Sequence, residues 1–170
     1  MSHVLSRWNL LPADEAVKEI LPCCGSRAWA TGMAFSRPVE DLATLLATSD
    51  RIWRELDAED WLEAFQSHPR IGDTRGSGEF SARAQDWSVQ EQRRAAESDD
   101  SLKRALREAN REYEQRFHRI FIICASGKSA GEILADLRHR LKNDDATELR
   151  EAAEQQRQIA QIRLRKWLAE

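Results

Sequence analysis

Apolar residues recur along this chain at steps of three and four, the spacing that gathers them on one face of an α-helix. Val17 and Ile20, following Pro12, Asp14 and Glu15, predict a short helix that opens at Pro12 and stops near Pro22 and Gly25. Leu42, Leu45 and Leu46 repeat the spacing after Ser36, Arg37 and Pro38, and Ile52, Trp53 and Leu56 add a turn or two beyond Ser49 and Asp50. Asp57 caps the next helix, with Trp61, Leu62 and Phe65 inward. Pro69 ends it, because the residue before a proline is pushed out of helical geometry.

The period then fails. From Gly72 to Asp86 the chain holds Gly72, Gly76 and Gly78 among polar residues, which predicts a long surface loop. After Trp87, Ser88 and Glu91 have the spacing of a capping box opening a helix. A longer helix over 99–117 carries Leu102, Leu106, Ala109 and Tyr113 on its inner stripe. Phe121, Ile122, Ile123 and Cys124 read as core backbone, either a buried strand or a buried helical turn, since periodicity does not separate the two. Ser129 and Glu132 form a second capping box for a helix through Leu141. Asp144 or Asp145 opens a last helix that runs almost to the end.

These elements predict an all-α chain, a single-domain compact bundle of about seven to nine helices over residues 1–170. Composition agrees: 170 residues suit one core, and 32% charged residues with 7 glycines and 4 prolines suit helices on short connections. The formal net charge of -3 lacks the basic footprint that binding nucleic acid demands. Cys23, Cys24 and Cys124 do not make a disulfide framework, so a reducing compartment is expected. No leader pattern opens the chain and the longest apolar run, 120–125, is too short to span a bilayer, so the expected location is cytoplasmic, with no membrane partner. Whether the chain forms a homodimer is left open.

Chemistry enters with the polar residues on apolar faces. Leu149, Ala152, Gln156, Ile159, Arg163 and Trp167 share one stripe of the last helix, so Arg163 points inward. A buried guanidinium needs a partner, either a carboxylate such as Glu91 or an anionic ligand. His68 before Pro69 stands at a helix C-terminus, where the dipole favours its protonated form; it is a proton donor or a plain terminator. Ser88, Glu91 and Gln92 either cap a helix or offer that helix start to an anion. His3, His118 and His139 lack ligand spacing, so no metal is expected. Ser126, Gly127, Lys128 and Ser129 imitate the end of a phosphate-binding loop, but Ile122 stands where that motif needs glycine.

Taken together, the run Phe65, Gln66, Ser67, His68, Pro69, Arg70, Ile71, Gly72 resembles the signature of the 2-oxo-4-hydroxy-4-carboxy-5-ureidoimidazoline (OHCU) decarboxylases of urate degradation. Trp87, Ser88, Glu91 and Gln92 look like that family's second block. Tyr113, Phe117 and residues 121–125 look like its third, and Ile159, Ala160, Ile162, Arg163 and Leu164 are similar to its final helix. The resemblance implies a carboxy-lyase that uses neither cofactor nor metal and takes a small ureidoimidazoline to (S)-allantoin. It implies that His68 donates the proton with Glu91 beside it, that Pro69, Ser88, Gln92 and Arg163 hold the substrate, and that the backbone of Phe121, Ile122, Ile123, Cys124 and Ala125 forms one wall. His118 departs from the pattern, since the family usually has glycine there. The competing expectations are a helical interaction module without catalysis and nucleotide binding through residues 126–129.

Overall fold

The structure, a computed structural model, describes residues 2–72 and 82–170. Among them it is all-α, as expected: ten α-helices, one 3-10 turn and no strand. By its contacts the chain divides into two compact units, Met1–Ala64 with Arg157–Glu170, and Phe65–Gln156.

The first unit holds α1 (His3–Leu10), α2 (Ala13–Ile20), the 3-10 turn Leu21–Cys23, α3 (Arg27–Phe35), α4 (Leu42–Glu55), most of α5 (Ala58–Gln66) and the last part of α10 (Asp145–Ala169). Two of these helices, α1 and α3, have no counterpart among the sequence expectations. Both are short and are fixed by serine caps, Ser2 Oγ accepting from Leu5 N and Ser26 Oγ from Trp29 N, each at 3.2 Å. Gly32, a breaker by sequence, sits inside α3 because the Ile52 side chain of α4 comes within 3.0 Å of where a Cβ would stand. The further turns expected beyond Ser49 and Asp50 belong to one unbroken helix. Ser49 is buried and accepts from Trp29 Nε1 at 3.2 Å, and Asp50 accepts from Arg157 Nη1 at 2.9 Å and Gln161 Nε2 at 2.8 Å, so both polar groups find tertiary partners that leave the helix intact. Trp8, Trp29 and Trp167 anchor this core, the first and last meeting edge to face with centroids 5.6 Å apart.

The second unit holds α6 (Ala82–Glu91), α7 (Arg93–Ala96), α8 (Asp100–Phe117), α9 (Ala130–Arg140) and the start of α10. Leu106, Ala109 and Tyr113 of α8 pack with Ile133, Leu134 and Leu137 of α9. The helix expected over 99–117 is capped by Asp99, its Oδ1 accepting from Leu102 N at 2.8 Å, and the expected Ser129–Glu132 capping box forms in full. Residues 73–81 of the expected loop lie outside the described residues; 82–86 are helical, so α6 begins earlier than the expected start after Trp87.

Phe121, Ile122, Ile123 and Ala125 are buried and Cys124 is half-buried, and the segment forms neither strand nor helix. Their main chain is tied by side chains instead: Arg140 Nη1 donates to Ile122 O at 2.7 Å, and Cys124 N donates to Gln155 Oε1 at 2.9 Å. Two side chains, one from α9 and one from α10, thus satisfy main-chain groups that no neighbouring strand pairs.

Candidate active site

The second unit carries all but one of the residues singled out by the sequence. His68 follows the end of α5, and its main-chain N donates to Phe65 O at 3.2 Å, closing the last turn. The half-buried ring places Nε2 2.6 Å from Oε1 of Gln156. Which of the two groups donates follows from the imidazole tautomer. Gln156 is itself fully buried on α10. Sequence reading put Gln156 on the inward stripe but gave it no role, although the signal that drew attention to Arg163, a polar side chain on an apolar face, applied equally to it.

Ser88 and Glu91 are buried, at 4% and 8% exposure, and both belong to α6, which ends at Glu91. This corrects the capping-box expectation. Ser88 is interior to a helix that starts at least six residues earlier, so the pair offers no helix N-terminus and no free first-turn amides to an anion. What it offers is a buried hydroxyl and a buried carboxylate one turn apart. Gln92, just past the helix, accepts from Gly72 N at 3.0 Å, and Gly72 adopts a φ of 84° that glycine tolerates without strain. Pro69, Ser88 and Gln92 line one cavity of about 280 Å³ together with Gly72, Val89 and Leu106. His68, Glu91 and residues 121–125 are not part of that lining.

Behind the 121–125 segment stands a buried polar cluster that the sequence reading missed. Glu148 is fully buried; its Oε1 accepts from Tyr113 Oη at 2.6 Å and from Arg140 Nε at 2.9 Å, and its Oε2 from Asn143 Nδ2 at 2.9 Å. Arg140 also lies over the Phe121 ring, 4.5 Å from its centroid. Burial, and then the neighbouring carboxylate, push the Tyr113 phenol above its ordinary range, so it stays a neutral donor. The stripe read from sequence began at Leu149, which is half-buried. A strict step of four back from Gln156 and Ala152 reaches Glu148 instead.

Arg163 is described with the first unit, where it is fully buried and Nη1 donates to Pro22 O at 3.4 Å. Burial pushes the nearby Cys24 thiol up to about 12, against the lowering pull of its hydrogen bond with the Ser26 backbone and of the Arg163 charge. The phosphate-loop imitation loses its groups: Lys128 Nζ is paired with Asp136 Oδ2 at 2.8 Å, and Ser129 spends its hydroxyl on the Glu132 amide. Among the described residues no group of three or more His, Cys, Asp or Glu side chains could hold a metal ion, and no helix is long and apolar enough to cross a membrane.

A family model described as OHCU decarboxylase matches residues 9–165. The chain belongs to the OHCU decarboxylase family. It is similar to a solved structure of OHCU decarboxylase in the presence of (S)-allantoin, at 35% identity and a TM-score of 0.77, over 89% of this chain and 98% of that one. It is 37% identical over 148 residues to the uric acid degradation bifunctional protein TTL of Arabidopsis thaliana, matching 85% of this chain and 44% of that protein. It thus spans less than half the length of that relative. A 2-oxo-4-hydroxy-4-carboxy-5-ureidoimidazoline decarboxylase of Haloferax volcanii is 26% identical over 94% of this chain and 93% of its own length.

Proposed function

We propose that this protein decarboxylates OHCU to (S)-allantoin. The observation that carries this reading is the likeness over nearly the whole chain, at 35% identity, to a decarboxylase solved in the presence of (S)-allantoin. The histidine, glutamate, glutamine and arginine of the family pattern stand at His68, Glu91, Gln92 and Arg163.

Loss of carbon dioxide leaves an electron pair on carbon, and that pair needs a sink. In OHCU the ring carbon–nitrogen double bond beside the carboxylated carbon accepts it, so the protein has only to position the substrate and supply a proton. His68 is the donor in this scheme, delivering to one face of the ring and so fixing a single enantiomer. Its ring is oriented by Gln156, which leaves little freedom in the direction of delivery. Glu91 accepts hydrogen bonds from the substrate hydroxyl or ureido group, and Pro69, Ser88 and Gln92 hold the heterocycle where the cavity of about 280 Å³ gives room for a small ligand. The 121–125 backbone forms a further wall. The part given to Arg163, holding substrate oxygens, rests on the family pattern alone. The substrate is a free small anion, no cofactor or metal takes part, and the reaction belongs to the cytoplasm.

The test is to add purified protein to freshly generated OHCU and follow circular dichroism. A single-handed signal that His68→Ala abolishes is expected. A signal no faster or more enantioselective than spontaneous decay would sink the assignment.

A further inference from the structure

Two neighbouring residues of α10 reach in different directions to two separate parts of the proposed site. Gln156 holds the His68 ring through Oε1, at 2.6 Å from Nε2. Gln155 holds the 121–125 main chain through its own Oε1, at 2.9 Å from Cys124 N. Consecutive helical residues point about 100° apart, so one turn of a rigid element can grip two segments remote in sequence. We propose that Gln155 and Gln156 are positioning residues that register the His68 imidazole against the 121–125 wall, so that the proton donor and the wall face the substrate at a fixed separation.

The Gln155 contact is specific in direction. Cys124 N–H can only donate, so the Gln155 amide must turn its oxygen inward, and its Nε2 then donates to Glu151 Oε1 at 3.0 Å, one turn back on the same helix. Gln155 is therefore held in place from both ends of its amide. Arg140 fastens the same segment at Ile122 O. Gln156 is fully buried, so its orientation is likewise fixed by packing and not by solvent.

The inference rests on the proposed reaction and divides the two glutamines by kinetic effect. Gln155→Leu removes the acceptor and loosens the wall, an element that binds substrate and transition state alike. Its KM for OHCU is expected to rise about tenfold with kcat within about twofold of the parent. Gln156→Leu frees the proton donor and is expected to lower kcat about ten- to a hundredfold with KM little changed, at an unchanged folded fraction by circular dichroism. Gln156→Glu, which keeps an acceptor oxygen, should recover most of the lost kcat. The exchanged pair Glu151→Gln with Gln155→Glu rebuilds the same chain of donor and acceptor, Gln at 151 donating to the new carboxylate, and should recover most of the lost affinity.

A merely structural role gives a different signature: part of the protein unfolds, apparent kcat falls, and KM stays put. Gln156→Leu empties a buried hydrogen bond and is the variant at risk of misfolding; half-buried Gln155 keeps the question answerable without it. An active parent whose Gln155→Leu variant keeps its KM, or whose exchanged pair fails to restore it, overturns the inference and leaves the proposed reaction standing. A parent with no OHCU turnover overturns both.

Discussion

The Glu148 carboxylate and the Arg140 guanidinium are buried together, Oε1 lying 2.5 Å from Nη2 with side-chain exposures of 0% and 6%. Such a pair gains its stability from completeness, because removing one partner strands a charge in a medium that cannot solvate it. Glu148→Leu is expected to cost about 3–5 kcal/mol. The double variant Glu148→Leu with Arg140→Met should cost less, since no charge is left unpaired. Urea unfolding of the parent, the single and the double variants checks this. A double variant less stable than Glu148→Leu alone would mean that packing, and not the stranded charge, dominates.

His118 closes α8 in the left-handed region, at φ 55° and ψ 28°, with its N–H donating to Glu114 O at 2.9 Å. Glycine takes this conformation freely, whereas a side chain costs about 1 kcal/mol there. Glycine, the residue that the family usually has here, fits this backbone without strain. His118→Gly is expected to raise stability by about 0.5–1 kcal/mol, a few degrees in Tm. Calorimetry measures it, and a lowered Tm would show that the imidazole makes contacts worth more than the strain.

The fold was largely legible in the residues. Where polar caps flank a strong period, as at Asp57, Asp99, Ser129 and Asp144, the structure puts the helix start within a residue of the expected place. Failures came where tertiary partners override local rules. The short helix α3, where Gly32 packs against the Ile52 side chain, was not expected, and Ser88 lies inside a helix because α6 starts before the residues that resemble its cap. The site divides the same way. Residue types such as His68 and Glu91 stand out in one dimension, whereas Gln155, Arg140 and Glu148 matter through partners 18 to 35 positions away, which no local pattern encodes.

Cys24 supplies a pH dependence whose sign follows from its burial. The folded state keeps its proton up to about 12, while an ordinary thiol loses it near 9.0. Above the lower value the unfolded chain binds fewer protons than the folded one, so stability is complete below about pH 9 and declines as pH rises toward 12, by at most about 1.4 kcal/mol per pH unit from this group. Denaturation curves for the parent and Cys24→Ala between pH 8 and about pH 10 should converge as pH rises. Parallel curves would remove Cys24 from the account. The same burial predicts that native Cys24 resists thiol reagents at neutral pH.

Arg163 is fully buried, and its Nη1 donates to Pro22 O at 3.4 Å. A buried guanidinium is stable only when its charge is compensated, and in the proposed function Arg163 also holds oxygens of the substrate. Two variants separate its effects. Arg163→Ala leaves a void and stranded acceptors and is expected to lower stability by about 3–5 kcal/mol, read from urea unfolding. Arg163→Lys keeps the charge and most of the volume but loses the planar fork that pairs with two oxygens at once. It should fold, and its KM for OHCU should rise by about tenfold or more while kcat changes less, because holding oxygens stabilises bound substrate and transition state together. Were Arg163→Lys to fold and bind OHCU as the parent does, the charge at this position would be structural, and the oxygens of the substrate would have to be held by the donors of the second unit, Ser88, Gln92 and the 121–125 backbone.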